Sequence, residues 1–112
     1  MVSPLRGEVR WYAGPSTATE RTRKRRPVLV LSTDTANTNE FYLYVTVAPI
    51  SSNIERIYPL ELELEGLSRP SKVQPQYLYT CRKTDLVGEA LLRLEPQQLR
   101  AITERLKSYL EL

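Results

Sequence analysis

The 112 residues, 41% apolar and 26% charged, suffice for one compact domain with a modest core and are too few for two. A single cysteine, Cys81, and the absence of histidine exclude an internal disulfide, a Cys/His zinc site, a Ser-His-Asp triad and a His-activated thiolate. The net charge of +3 is uneven: residues 1–33 hold seven Lys/Arg against two Glu, and residues 34–112 hold nine against eleven Asp/Glu.

That asymmetry fits an anionic partner near the N-terminal third, with nucleic acid first, or equally a solvated basic loop. Residues 1–10 carry no apolar run of signal-peptide length, and no stretch nears the roughly 18 apolar residues that span a bilayer. A reducing cytoplasm, with no membrane partner, is the expected setting.

Gly7 to Tyr12 reads as a first strand. Ala13 to Arg25 carries Gly14, Pro15, Ser, Thr and charge without apolar period, and reads as a long exposed loop. Pro27 to Ser32 is a short apolar run suited to a strand buried on both faces. Asp34 to Glu40 is polar and turn-like. Phe41 to Ile50 is aromatic and β-branched, a strand.

Tyr58 to Glu65 alternates strictly, which predicts a strand with leucines inward, and Glu61, Glu63 and Glu65 in water. Those three carboxylates on one face are reminiscent of a metal site, but an ordinary solvated face accounts for them better, and no metal or cofactor is expected. Gly66 ends the run. Lys72 to Tyr79 fits a further strand with Pro75 at an edge or bulge, and Glu89 to Leu94 a last short one. Glu95-Pro96 opens a helix whose Leu99, Ile102, Leu106 and Leu110 form one apolar stripe. The stripe packs on the sheet or, alternatively, binds a partner. Five or six short strands, an early loop and a closing helix make residues 1–112 a single, mainly β domain built as a small bent sheet or open barrel.

No Gly-rich phosphate loop is present. The basic run Arg21-Thr22-Arg23-Lys24-Arg25-Arg26 is the remaining source of chemistry. Most of it suits loose attraction of phosphates. Arg26 differs, because it abuts Pro27 and a buried strand, so its guanidinium has a defined origin from which to bind a phosphate and stabilise growing charge. The strand from Phe41 ends at Pro49-Ile50-Ser51-Ser52, placing hydroxyls where strand ends meet loops.

Three segments in order resemble the MazF/PemK family of toxin endoribonucleases: Arg6-Gly7-Glu8-Val9-Arg10-Trp11 is similar to "RGxVxW", Arg26 to Ser32 to "RPVLVL", and Val47 to Ser52 to "VAPITS". The Gly66-Leu67 turn, Ser71, Leu78, Thr80 and the closing helix are compatible with it. The resemblance implies an SH3-like barrel of the CcdB/MazF type with a C-terminal helix, a homodimer, a cognate antitoxin, and metal-independent cleavage of single-stranded RNA by 2′-hydroxyl attack. It carries the family's active-site Arg and Thr onto Arg26 and Ser51. Arginine is a poor proton acceptor, so Arg26 is assigned electrostatic stabilisation. RNA contacts are expected from Arg10, Trp11, Glu20, Arg21, Arg23, Lys24, Arg25, Ser52, Tyr77 and Tyr79.

The chain departs from the family in the loop before Arg26, which here is Gly14 to Glu20 and then basic. It departs again in the "Q-[IL]-R-T-x-D" segment, where Tyr77, Tyr79 and Arg82 replace Gln, Arg and Asp. The tyrosines suit base stacking or cross-strand packing. Two other classes remain open: a non-catalytic relative binding protein or nucleic acid, such as a topoisomerase poison or transcription regulator, and a plain interaction barrel.

Overall fold

The computed structural model describes residues 3–14 and 25–112. The expected early loop therefore lies, from Pro15 to Lys24, outside the described residues. The elements follow as β1 (Glu8–Tyr12), β2 (Arg26–Val30), α1 (Asp34–Asn37), β3 (Tyr44–Ser51), β4 (Leu62–Leu64), β5 (Ser71–Val73), β6 (Tyr79–Arg82), β7 (Leu86–Arg93) and α2 (Pro96–Leu110). The strands form one antiparallel sheet in the order β4-β5-β3-β2-β1-β7, with β6 also paired to β3. β3 is the hub. One edge takes β2, and the other takes β6 along its first half and β5 at its end.

The sheet curls into a half-barrel around two cores. Val9, Leu29, Leu31, Ala48, Ile50, Leu64 and Val73 pack with Ile102 and the half-buried Leu99 and Leu106 of α2. On the opposite face Val28, Val30, Val45, Val47, Cys81 and Leu86 form a second cluster, flanked by Tyr12 and Tyr79. Successive residues of a strand point to opposite faces, so the run Val28-Leu29-Val30 serves both cores, as its unbroken apolar character predicts.

Two glycines let the sheet curl. Gly7 (φ 91°) donates its N–H to Val30 O at 2.9 Å and accepts from Leu94 N at 2.9 Å, which ties the entry of β1 to β2 and to the end of β7. Gly66 (φ 100°) lets the chain after β4 approach β7 so closely that a Cβ there would meet Leu92 Cδ1 at 3.1 Å. Arg6 belongs to this framework too. Its backbone N–H donates to Asp34 Oδ1 at 2.7 Å, and its guanidinium donates to Leu31 O and, at 2.7 Å, to Thr103 Oγ1.

Several expectations are corrected. Asp34–Asn37 is a short helix rather than a turn, capped by Thr33 and anchored by buried Asn37, whose amide donates to Ser32 O at 2.8 Å. β3 starts at Tyr44, leaving Phe41 to Leu43 exposed ahead of it. Only Leu62–Leu64 of the alternating run is strand, and Glu61 is buried rather than solvated. The segment after Val73 breaks at Pro75 into a 3-10 turn (Pro75–Tyr77) before β6, because Pro75 has no N–H to give a ladder. The last strand is longer than expected, at eight residues. α2 starts at Pro96 as expected, and Gln98 and Glu95 close a capping box around its first turn. Its stripe holds through Leu106, while Leu110 is 47% exposed.

Candidate nucleic-acid interface

The register of the sheet brings several of the candidate side chains to one face. β2 and β3 pair as Val28↔Pro49, Leu29↔Ala48 and Val30↔Val47. Continued two places, that register sets Arg26 across from Ser51. Ser51 in turn pairs with Lys72 of β5, Gln74 donates its backbone N–H to Pro49 O at 2.9 Å, and Val47 pairs with Tyr79 of β6. On the other side Arg26 pairs with Tyr12 of β1. Directly paired residues share a face, so Tyr12, Arg26, Ser51, Gln74 and Tyr79 all stand on the face opposite α2.

A cleft of about 770 Å³ opens where β2 begins and β3 ends. Arg25, Arg26, Ser51, Ser52, Gln74 and Tyr79 line it, with Trp11 and Leu91 from β1 and β7 and residues 66–69 from the β4–β5 loop. Among the described residues it contains three arginines (Arg25, Arg26 and Arg69) and no carboxylate. Among the described residues none of the three has an ion-pair partner, whereas Arg10, Lys72 and Arg93 are all paired to glutamates. Guanidiniums without a carboxylate partner among the described residues make a positive concavity suited to a phosphate chain.

The hydroxyls of the cleft face the same way chemically. Ser51 Oγ accepts the N–H of Asn53 at 3.1 Å, so a lone pair is occupied and the O–H remains to be donated. Tyr79 is half-buried and meets Tyr12 edge to face with centroids 5.7 Å apart. Burial pushes its phenol up to about 12, with Cys81 and Tyr12 adding to the rise and the nearby Arg26 cation opposing it. Tyr79 thus keeps its proton at neutral pH and is a donor. Cys81 is buried under the sheet, and burial, with the Asp85 carboxylate behind it, pushes its thiol up to about 12. It is a small core residue rather than a nucleophile.

The expected site residues separate into three groups. Arg26, Ser51, Trp11, Arg25, Ser52 and Tyr79 are brought together at the cleft. Arg10 is not: it is buried, paired to Glu8 Oε1 at 3.1 Å and donating to Gly88 O at 2.8 Å, where it pins β1 to β7. Tyr77 is also absent from the cleft, lying exposed in the turn before β6. Glu20, Arg21, Arg23 and Lys24 fall outside the described residues.

Arg69 and Gln74 line the cleft without having been singled out in the sequence, and Ser71, named there only as compatible with the family pattern, lines it too. Arg69 carried a readable signal, since Arg69-Pro70 precedes β5 as Arg26-Pro27 opens β2. Gln74 carried none, because its place depends on β5 pairing with β3. Among the described residues no three His, Cys, Asp or Glu side chains gather as a metal site.

A family model described as a PemK-like, MazF-like toxin of type II toxin–antitoxin systems matches residues 5–110. Endoribonuclease MazF9 of Mycobacterium tuberculosis is 30% identical over 116 residues, spanning 96% of each chain. Among solved structures, MazF from Deinococcus radiodurans superposes with a TM-score of 0.78 at 23% identity, over 100% of both chains. An endoribonuclease in complex with its cognate antitoxin, from a mycobacterial species, gives a TM-score of 0.75 at 20% identity over 100% of this chain and 97% of that one. At these identities the two structures establish the shared half-barrel fold. The extent of the family match and the likeness to MazF9 go further: the chain belongs to the PemK-like, MazF-like family of toxin endoribonucleases.

Proposed function

We propose that this chain cleaves single-stranded RNA without a metal, by attack of a ribose 2′-hydroxyl on the adjacent phosphate. The observation that supports this most is a cleft in which, among the described residues, three arginines without an ion-pair partner stand with a strand-end serine and no carboxylate. In that reaction the 2′-oxygen bonds to phosphorus and the bond to the 5′-oxygen breaks. The products are a 2′,3′-cyclic phosphate and a 5′-hydroxyl, and the proton lost by the nucleophile is balanced by the one the leaving oxygen gains.

Charge builds on the non-bridging oxygens as phosphorus becomes five-coordinate. Arg26, fixed by Pro27 and β2, stabilises that charge, and Ser51 donates to one of the same oxygens. Tyr79 supplies a second neutral donor. Arg25 and Arg69 hold neighbouring phosphates, and Trp11 offers a flat face for a base. The partners proposed with this activity are a cognate antitoxin and a second copy of the chain, in the cytoplasm. Among the described residues no helix is long and apolar enough to cross a membrane.

The test is cleavage of a single-stranded oligoribonucleotide in excess EDTA, beside the same oligonucleotide with one 2′-deoxyribose at the cleaved position. The expected result is full cleavage of the first, ending in cyclic phosphate, and none of the second at that position. Cleavage of the deoxy substrate there, or loss of activity in EDTA restored by magnesium, overturns the mechanism. No cleavage of any RNA overturns the activity.

A further inference from the structure

Glu61 is the most enclosed carboxylate among the described ion pairs, with a side-chain exposure of 0%. One of its oxygens accepts the N–H of Tyr58 at 2.9 Å and pairs with Lys72 Nζ at 3.1 Å. The other accepts the amide nitrogens of Gln76 at 2.8 Å and Gln74 at 3.2 Å. An ionised carboxylate only accepts. It therefore settles which end of each amide faces it: the NH2 groups point at Glu61 and the carbonyl oxygens point away.

For Gln76 that leaves Oε1 buried with no partner. Gln74 differs in both respects. It lines the cleft, and its Oε1 accepts no hydrogen bond among the described residues yet is not shut away from solvent. A free amide normally rotates to offer either a donor or an acceptor. This one is held as an acceptor, just past the end of β5 and two residues after Lys72, the partner of Ser51.

We propose that Gln74 is a specificity-determining residue whose fixed carbonyl oxygen accepts a hydrogen bond from the amino group of one RNA base, favouring a base with an exocyclic amine over one with a keto oxygen at the same place. The proposal rests on the RNA-cleaving reading above and names part of its substrate preference. A keto oxygen at that spot meets the Gln74 oxygen lone pair to lone pair, and the amide is not free to turn over. Adenine at C6 and cytosine at C4 carry the amine; guanine and uracil carry a keto oxygen at those same positions, guanine's own amine lying at C2.

The experiment compares wild type, Gln74→Met and Gln76→Met on a pool of oligoribonucleotides randomised around the cleaved bond, with thermal melting of each. Methionine keeps the length of the side chain and removes both amide groups. Gln76→Met removes a neighbouring bond to the same carboxylate without touching the cleft. Wild type is expected to prefer adenine or cytosine at one position. Gln74→Met loses that preference by about tenfold, the order of one hydrogen bond, while still cleaving and keeping its other preferences. Gln76→Met shifts melting with the preference intact.

At the selected position, replacing adenosine by purine riboside, or cytidine by 2-pyrimidinone riboside, removes only the amine. It slows wild type about tenfold and leaves Gln74→Met unaffected. Cleavage by wild type with preferences that Gln74→Met leaves unchanged, or that Gln76→Met alters equally, overturns the assignment to Gln74. A wild-type protein that cleaves nothing in the pool instead overturns the endoribonuclease reading on which the proposal depends.

Discussion

Glu61 and Lys72 meet 3.1 Å apart with side-chain exposures of 0% and 8%, joining the segment before β4 to the strand that reaches the cleft. Burial alone drives the Glu61 carboxyl upward, but the hydrogen bonds from Tyr58, Gln76, Lys72 and Gln74 outweigh it and hold the group at about 2, against 4.5 ordinarily. A carboxyl lowered in the folded state contributes stability that is complete above its unfolded value and lost as pH falls through its folded one. Stability should therefore drop between pH 4.5 and 2. Urea unfolding across that range measures it. Glu61→Gln should flatten the slope and lower the plateau at neutral pH by about 3–5 kcal/mol, since a buried lysine then lacks its counter-charge. An unchanged slope in Glu61→Gln contradicts this assignment.

The Cys81 thiol shifts in the other direction. It is raised to about 12 from an ordinary 9.0, so the folded protein holds a proton that the unfolded chain releases above pH 9. Its contribution to stability is complete below pH 9 and is lost as pH climbs toward 12. At pH 8 the native thiol should react with an alkylating reagent far more slowly than the same protein in urea. Equal rates in the two states would show Cys81 to be accessible.

The closing helix offers a test of packing. Ile102 is fully buried against the first core, whereas Leu110 lies 47% exposed on the same stripe. Ile102→Ala should cost about 2–5 kcal/mol of unfolding free energy. Leu110→Ala should change it by no more than about 0.5 kcal/mol in the isolated chain. Comparable losses would mean that Leu110 is covered in solution.

How much of this was legible in the sequence follows from how far each feature reaches along the chain. α2 was visible because Pro96, Leu99, Ile102 and Leu106 encode it within four turns. β2 was visible because Val28-Leu29-Val30 serves two cores at once. Arg26 and Ser51 were candidates from short motifs at strand ends, and the β2–β3 register, continued two places, sets them opposite each other.

The failures share a cause. Strict alternation placed Glu61 in water, because its partners Lys72, Gln74 and Gln76 come from β5 and the turn beyond. Arg10 looked like one more cation near the basic loop, yet a β-bulge between Val9 and Trp11 accompanies its burial beside Glu8. α1 was hidden because the four residues Asp34 to Asn37 are too short to show an apolar period, and its signal was the Thr33 cap and Asn37 folding back on Ser32.

The Ser51 hydroxyl separates a donor from a merely small residue at a strand end. Ser51→Ala removes the donor and should slow cleavage by about tenfold, the order of one charge-assisted hydrogen bond. Ser51→Thr keeps the hydroxyl and should retain or raise the rate. Single-turnover rates at saturating protein make the comparison. If the alanine variant matched wild type while the threonine variant failed, Ser51 would be limited by size rather than hydrogen bonding.

The most direct test of the account is the single-turnover cleavage rate of Arg26→Ala, measured beside RNA affinity and thermal melting. A companion variant neutralises Arg21, Arg23, Lys24 and Arg25. Arg26 is tethered at the start of β2 across from Ser51, so its loss should slow the chemical step by about 10²–10³ with a smaller effect on binding. The companion should bind RNA more weakly and with a flatter salt dependence, yet cleave bound RNA at close to the wild-type rate. An Arg26→Ala protein that folds and cleaves like wild type, beside a companion that has lost the chemistry, contradicts the account and moves catalysis to the basic loop.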